Sequence, residues 1–223
     1  MRILSLAVTV VAAAVLAAPP VTAEPAACAE FGGIVTDGNC RVQANDPRYR
    51  MDMTFPLDYP DERAIVDYLR QTRDGFVNVA NTPDARNQPF EMDVTSQSWR
   101  SAQTHSVVLK LFQDVGSAHP TTWYRSFTFD TVRRQPVTFD TLFAPDTQPL
   151  DVIFPIVQRE LEASTGLAGS ISPGDGRDPS HYQNFAITDD SVIFYFGRAE
   201  LLPSYAGETS ATVPRSALPP LQI

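Results

Sequence analysis

Apolar and polar residues follow regular periods along most of the first half of the chain. Residues 49–55 alternate apolar and polar side chains, which is typical of a strand with one buried face. From Asp61 the apolar positions recur at helical spacing, and Pro60 suits the first turn, so the pattern predicts an amphipathic helix. Residues 90–99 and 106–113 predict two further strands. The inward face of the helix is expected to carry Ile65, Tyr68, Leu69, Thr72, Phe76 and Val79.

The second half of the chain, from Gly116, again places strands before a helix. Its helix is predicted at 150–163, where Pro155 lacks a backbone N–H and implies either a kink or a late helix start. A long loop follows this helix. The predicted strands of this half are 121–131, 137–139, 185–188, 192–196 and 211–214.

The order of these elements predicts the fold class. Strands outnumber helices, and each helix follows strands of its own half. This order predicts an α+β fold with antiparallel sheets, each with a packed helix. We expect two small intertwined halves, residues 24–115 and residues 116–223.

The first 23 residues have the pattern of a secretory signal peptide. Arg2 precedes an apolar run, 3–18, and the small residues at 21–23 end the segment before Glu24. The apolar run is shorter than the roughly 20 residues that a membrane-spanning helix needs. We therefore expect residues 1–23 to be removed, no membrane span to remain, and the protein to be secreted, in solution or associated with the cell wall.

Composition and charge narrow the functional classes. The 223 residues include 17 Lys and Arg against 26 Asp and Glu, which gives a formal net charge of −9. Nucleic-acid binding is not expected, because it depends on clustered positive charge. A hydrophobic content of 43% is enough to form a core, which argues against disorder. The sequence predicts an acidic, folded monomer that needs no cofactor.

Cys28 and Cys40 are the only cysteines of the chain. The 11 residues between them include Gly32-Gly33 and Asp37-Gly38, which favour turns that could bring the two sulfurs together. Ligation of a metal is an alternative, but no histidine lies near them. Acylation of Cys28 is another, but the residue three positions before it is not a large aliphatic one. We therefore expect a disulfide and no metal.

Several short segments stand in a specific order along the chain. Together with the cysteine pair, one set resembles the secreted immunogenic proteins of mycobacteria: Asp58-Tyr59-Pro60-Asp61, Gln71-Thr72-Arg73-Asp74, Ala118-His119-Pro120-Thr121, Pro155-Ile156-Val157-Gln158 and Tyr182-Gln183-Asn184-Phe185-Ala186. In the C-terminal half a second set resembles the extracellular domain of the RsiV-type anti-sigma factors: residues 116–120, 138–143, 185–190, 194–196 and 202–207.

The resemblance implies the fold of these families and leaves several classes of function. Members include secreted antigens, a lysozyme-sensing receptor domain and esterases active on short acyl esters. We expect an exported antigen-like protein that binds a component of the cell wall or of a host. The alternative is a secreted or wall-associated serine esterase whose partner is a small acyl ester.

A serine esterase needs a nucleophile, a base and an orienting acid. The G-x-S-x-G turn of α/β-hydrolases does not occur in this chain. The densest supply of suitable side chains is the segment 164–181, which provides the candidate catalytic residues Ser172, Asp178 and His181. The alternative is that this segment is a solvated connection whose Ser, Asp, Gly and Pro content is turn chemistry.

Two residues near the start of the strand at 121–131 are further candidates. His119 precedes Pro120 in a turn, where we expect its ring to hydrogen-bond backbone groups, with a role as general base as the alternative. Alternation places Trp123 and Phe127 on one face of the strand and Tyr124 on the other, so at least one aromatic ring is expected to be exposed. Exposed aromatic residues anchor interfaces, and Trp123 is the candidate binding residue.

Overall fold

The computed structural model describes residues 25–83 and 85–223. The predicted signal peptide, residues 1–23, lies outside the described residues. No helix in the described part is long and apolar enough to cross a membrane. The helices are α1 (Ala26–Glu30), α2 (Glu62–Ala80), α3 (Phe139–Leu142) and α4 (Pro149–Thr165). The strands are β1 (Ile34–Thr36), β2 (Asn39–Asp46), β3 (Tyr49–Pro56), β4 (Phe90–Arg100), β5 (Thr104–Asp114), β6 (Thr121–Asp130), β7 (Gln135–Val137), β8 (Phe185–Ile187), β9 (Ser191–Phe196) and β10 (Thr209–Pro214).

The larger of two sheets has seven strands in the order β1 to β7, so strands that follow one another in sequence are neighbours in space. Every neighbouring pair is antiparallel except β3 and β4, which are parallel. The structure departs from the expected antiparallel pairing at this pair because α2 connects the two strands, and a parallel pair needs such a crossover. The predicted α+β class is confirmed.

Helix α2 covers one face of the larger sheet. Ile65, Leu69 and Phe76 are buried as predicted, and Val66 joins them, whereas Val79 near the end of the helix is 45% exposed. Burying one such large apolar side chain contributes about 1.5–3 kcal/mol. The helix packs on alternate sheet residues, which include Val42, Met51, Met53, Met92, Val94, Leu109 and Leu111.

A disulfide joins α1 to β2. Cys28 and Cys40 form it as predicted, with Cα atoms 5.3 Å apart. The residues between them contain β1 and a two-residue hairpin turn rather than a plain loop. Asp37 and Gly38 have φ values of 49° and 76°, as both central residues of a type I′ turn require. Because the disulfide occupies both sulfurs, this structure leaves neither cysteine for metal ligation or acylation.

The smaller sheet contains three antiparallel strands in the order β10, β9, β8. Helix α4 packs on one face of it, and the larger sheet packs on the other. On β9, Phe194 and Phe196 lie in the core with α4, whereas Tyr195 packs with Val108 of the larger sheet. The layers therefore run α2, larger sheet, smaller sheet, α4.

Buried hydroxyl groups connect the two sheets. Ser106 Oγ accepts the backbone N–H of Ile187 at 3.1 Å and lies 3.0 Å from Thr128 Oγ1. The larger sheet includes β6 and β7, which follow the predicted boundary between residues 115 and 116. The two predicted halves therefore share the larger sheet. The boundary between them at residues 115 and 116 stays a prediction.

Two elements of the second half differ locally from the predictions. The short strand predicted at 137–139 is β7, which ends at Val137, because a capping box between Thr138 and Thr141 starts α3. Helix α4 begins at Pro149, so the late helix start is wrong. Pro155 lies inside the helix on its exposed side.

Candidate functional site

The loop between α4 and β8, residues 166–184, is anchored to the core. It contains two short 3₁₀ helices, Asp175–Arg177 and Pro179–Tyr182. The Tyr182 side chain is fully buried, and its hydroxyl donates to the carbonyl of Gly176 at 2.6 Å. Its ring meets Phe194 edge-on, with centroids 5.3 Å apart. Because Tyr182 is held in this way, the backbone position of the preceding residue, His181, is also fixed.

The imidazole of His181 lies beside a carboxylate from another loop. Its Nδ1 is 4.0 Å from Oε1 of Glu200, which follows β9. This distance is longer than a hydrogen bond, but it allows an electrostatic attraction between the two groups once the ring is protonated. Both side chains are 24% exposed, so both remain in contact with solvent. Within the described part of the chain, this is the one histidine–carboxylate pair within 4.0 Å.

Glu200 is held by the backbone of its own loop, which packs on the start of β6. Its Oε2 accepts the backbone N–H of Gly197 at 2.6 Å. A Cβ at Gly197 would lie 3.2 Å from the carbonyl oxygen of Thr122, and Arg198 N–H donates to that same oxygen at 3.0 Å. Burial raises the pKa of Glu200, while the Gly197 N–H and the nearby His181 act in the opposite direction. This carboxylate is placed to stabilise a protonated His181.

Asp178 begins the short helix that carries His181. Its Oδ1 accepts the backbone N–H of Ser180 at 2.8 Å, as in an N-cap, and its carbonyl accepts the N–H of His181 at 3.2 Å. Hydrogen bonding from Ser180 lowers the pKa of Asp178. The candidates Asp178 and His181 therefore lie in one turn, with Asp178 positioning the backbone of His181.

Ser172, the third candidate of the set, lies in the preceding turn. Its Oγ donates to Asp175 Oδ2 at 2.8 Å and accepts the N–H of Asp175 at 3.1 Å. None of the serine hydroxyls in the described residues hydrogen-bonds a histidine ring, so the structure contains no preformed serine–histidine pair there. Catalytic hydrogen bonds are often long before substrate binds and shorten in the complex with substrate.

The remaining candidates lie elsewhere. Trp123 is half-buried under α2, and its indole N–H donates to the Tyr68 hydroxyl at 2.8 Å. The most exposed aromatic side chain of the described part is Tyr205, at 74%. His119 is exposed, and only its backbone carbonyl takes part in a hydrogen bond, which Ser117 donates at 3.0 Å. The expected hydrogen bonding of the His119 ring is therefore not observed.

The face of the larger sheet opposite α2 is uncovered on β2, β3 and the first part of β4. Polar side chains on this face form two rows across the strands. In one row Gln43, Asp52 and Asp93 are direct neighbours in register. The adjacent row consists of Asn45, Arg50 and Glu91.

Asp93 is the unpaired member of the first row. Asp52 opposes it directly, and like charges in this arrangement are destabilising. The charge of Asp52 is compensated by Gln43 Nε2 at 2.7 Å and by the Arg41 guanidinium at 3.2 Å. The Asp93 carboxylate has no hydrogen bond or ion pair within residues 25–83 and 85–223. Partial burial, and then the charges of Glu91 and Asp52, raise the pKa of Asp93.

Asp93 stands between two adjoining concavities, which we call the polar cleft. The first measures about 240 Å³ and the second about 290 Å³. In the second, the ammonium group of Lys110 forms an ion pair with Glu208. The residues of the first are Gln43, Asn45, Arg50, Met51, Asp52, Glu91 and Asp93, and those of the second are Asp93, Thr95, Lys110, Phe112, Thr122 and Glu208.

The sequence named His181 and Asp178 as candidates, which stay predictions, and it did not name Glu200 or the polar cleft. Glu200 lies 19 residues after His181, and only the fold brings the two together. The alternating patterns of β3 and β4 did contain a usable signal, because they place Asp52 and Asp93 on the faces opposite the core. The direct opposition of the two carboxylates depends on the parallel register, which the sequence did not predict.

Comparisons with known proteins first define the class of fold. A family described as "Protein of unknown function (DUF3298)" matches residues 140–216. A crystal structure of a DUF3298 family protein from Pseudomonas aeruginosa has a TM-score of 0.56 and 11% sequence identity, and the match covers 79% of this chain and 90% of that chain. This likeness shows the fold: the chain has the α+β architecture of DUF3298 proteins.

Sequence comparison then identifies the family. The chain is 56% identical over 223 residues to the protein named Esterase Rv3036c of Mycobacterium tuberculosis, covering 98% of each chain. It is 46% identical over 195 residues to Immunogenic protein MPB64 of Mycobacterium bovis, covering 86% of each chain. This chain belongs to the family that these mycobacterial proteins form, and the resemblance seen in its short segments is confirmed.

Proposed function

We propose that this chain is an exported hydrolase of short-chain carboxylic esters with His181 as its base. The proposal is carried by the 56% identity, across 98% of both chains, to a protein named as an esterase. The sequence alone favoured binding over hydrolysis. Because of this identity, hydrolysis is the function proposed first. The accessible pair formed by His181 and Glu200 supports the proposal, because a base and an orienting carboxylate are two of the groups that ester hydrolysis needs. Export rests on the predicted signal peptide at residues 1–23.

In the proposed reaction an oxygen nucleophile attacks the carbonyl carbon of the ester, and His181 Nε2 takes the proton of the nucleophile. The bond between the carbonyl carbon and the alkoxide then breaks, and the imidazolium gives its proton to the alkoxide. Glu200, beside Nδ1, stabilises the imidazolium while it exists. The nucleophile is either water or a serine that approaches the ring when substrate binds. With serine, water hydrolyses the resulting acyl-enzyme in a second step.

The test is hydrolysis of p-nitrophenyl acetate and p-nitrophenyl butyrate by the purified protein. His181→Ala should lower kcat/KM by about 10²–10⁴-fold, the usual contribution of a general base. His119→Ala is the matched control, because the His119 ring is exposed and makes no hydrogen bond in the described structure, and it should retain full turnover. Absence of hydrolysis by the wild-type protein, or full activity of His181→Ala, would show the proposal to be wrong.

The nucleophile can be identified in the same assay. Phenylmethylsulfonyl fluoride inactivates the protein if a serine attacks the ester; an intact-mass increase then shows the modification, and the masses of the peptides locate the modified residue. If water attacks, the inhibitor leaves turnover unchanged. Both outcomes are compatible with His181 as the base, and they separate the two forms of the mechanism.

The second candidate function is binding to a component of the cell wall or of a host. The observation that favours it is the polar cleft, where Asp93 is left unpaired on an uncovered sheet face. A binding protein without enzymatic activity would show saturable binding and no turnover of esters. The ester assay and a binding assay on the same preparation therefore distinguish the two functions.

A further inference from the structure

We infer that the polar cleft binds a neutral saccharide. The inference rests on the second of the two candidate functions, binding, and specifies the chemical class of the ligand. Each concavity alone, at about 240 and about 290 Å³, lies below the ~300–1,000 Å³ of most small-molecule sites. Because they share Asp93, they form one elongated depression that reaches this range. An elongated depression suits a chain of sugar units better than a single small molecule.

The hydrogen-bonding groups of the cleft match hydroxyl groups. Carboxylates accept hydrogen bonds, guanidinium and ammonium groups donate them, and the side-chain amides of Gln43 and Asn45 do both. A sugar hydroxyl donates one hydrogen bond and accepts others, so it can pair with each of these groups. Most ligand pockets are lined predominantly by hydrophobic and aromatic residues, whereas the lining of this cleft contains two of them, Met51 and Phe112. Its lining therefore favours a polyhydroxylated ligand over an apolar one.

The charges of the cleft favour a neutral ligand. Asp52 is paired with Arg41, and Glu208 is paired with Lys110. Arg50 faces Glu91 in direct register. Among the side chains that line the cleft, Arg50 is the one cation outside an ion pair, against the carboxylates of Glu91 and Asp93, so an anionic ligand such as a phosphate would meet a net negative charge. A hydroxyl group can instead donate to Asp93, and this donation would compensate the repulsion between Asp93 and Asp52.

The cleft also contains an aromatic surface. Phe112 is half-buried and is the direct register partner of Asp93 on the neighbouring strand. Its ring therefore lies beside the unpaired carboxylate. The C–H groups on one side of a sugar ring are apolar and can pack on such a ring, while the hydroxyl groups at the edge reach the carboxylate. One sugar unit can thus contact Phe112 and Asp93 at the same time.

The test uses three soluble probes: the tetramers of N-acetylglucosamine, of mannose and of glucosamine. Nitrogen-15 NMR follows the side-chain amide signals of Gln43 and Asn45, which lie in the cleft. We expect saturable shifts of these signals with at least one of the two neutral tetramers. Asp93→Ala should raise the Kd about tenfold, which corresponds to about 1.4 kcal/mol. Because it removes the opposed like charge, this variant should keep or increase the melting temperature.

Asp190→Ala is the matched control, since Asp190 is exposed outside the cleft, and it should leave the Kd unchanged. The inference is overturned if neither neutral tetramer gives saturable shifts, if Asp93→Ala binds as tightly as the wild type, or if only the cationic glucosamine tetramer binds. Turnover of p-nitrophenyl acetate by Asp93→Ala should equal that of the wild type. Ester turnover without saccharide binding by the wild-type protein would refute only this inference, and saccharide binding without ester turnover would refute only the esterase proposal.

Discussion

His105 is fully buried, and neither nitrogen of its ring has a hydrogen-bond partner within the described residues. The ring meets Tyr59 edge-on, with centroids 5.4 Å apart. Burial is the main cause that lowers the pKa of His105; the positive charge of Arg100 acts in the same direction, and Asp58 opposes it. The folded protein therefore favours the neutral ring more than the unfolded chain does, in which the pKa of a histidine is about 6.5. A buried polar group without a partner costs stability.

The lowered pKa of His105 predicts a pH-dependent stability. The unfolded chain binds a proton on this ring more readily than the folded protein, so the free energy of unfolding should fall as pH drops below about 6.5. A difference of one between the pKa values in the folded and unfolded states corresponds to about 1.4 kcal/mol in the free energy of unfolding. His105→Phe, which removes both nitrogens and keeps an aromatic ring, should lose less stability between pH 7.5 and 5. Urea unfolding at both pH values measures this, and equal losses in the two proteins would contradict it.

At the scale of elements, most of the longer periodic segments could be predicted from the sequence, and several other elements were missed. The pattern predicted β3, α2, β4 and β5, because each buries a continuous set of side chains at a regular period. It missed β1 and the division between β7 and α3, since three or four residues are too few to establish a period. It also missed the eight-residue β2, although Cys40, Val42 and Ala44 alternate with polar residues there. The capping box at Thr138 and Thr141 was the available local signal for α3.

The candidate site could be predicted from the sequence only where its residues lie close together along the chain. His181 and Asp178 were predictable because they lie in one turn-rich segment. Glu200 and the opposition of Asp52 and Asp93 were not, because they depend on contacts between distant elements. The packing of the segment was also missed: Gly176 lies against the ring of Phe154 of α4, and a Cβ added there would be 1.9 Å from a ring carbon.

This close approach predicts that Gly176→Ala destabilises the loop that carries His181. The added methyl group must displace either the Phe154 ring or the short helix, at a cost of about 1–3 kcal/mol, as for other overpacked cores. Thermal unfolding should show a lower melting temperature, and amide hydrogen exchange should be faster in residues 166–184. Gly174→Ala is the matched control, because the nearest atom to an added Cβ is 3.7 Å away. Equal melting temperatures of the two variants would contradict this account.

At the scale of the whole molecule, the two sheets are joined by polar groups as well as by apolar packing. The backbone N–H of Phe185 donates to Ser126 Oγ at 3.0 Å, and that of Ile187 donates to Ser106 Oγ at 3.1 Å. The edge strand β8 therefore satisfies part of its backbone through side chains of the larger sheet. We expect the two sheets to unfold together, since separating them would leave these donors and acceptors without partners.

Ser106→Ala tests this coupling. The substitution leaves the buried N–H of Ile187 without an acceptor, and we expect a loss of about 1–3 kcal/mol in the free energy of unfolding. Ser98→Ala, on an exposed position of β4, is the control and should change this free energy little. Far-ultraviolet circular dichroism and tyrosine fluorescence should report one coincident transition in the wild type. A loss for Ser106→Ala no larger than for Ser98→Ala would contradict the assigned role.

The short ends of the larger sheet affect how the molecule behaves at high concentration. Its outermost strands, β1 and β7, have three residues each, and Pro136 in β7 has no N–H to donate. An added strand from another copy would find few free backbone groups on either side. The larger sheet thus resists fibril growth by strand addition at both of its edges.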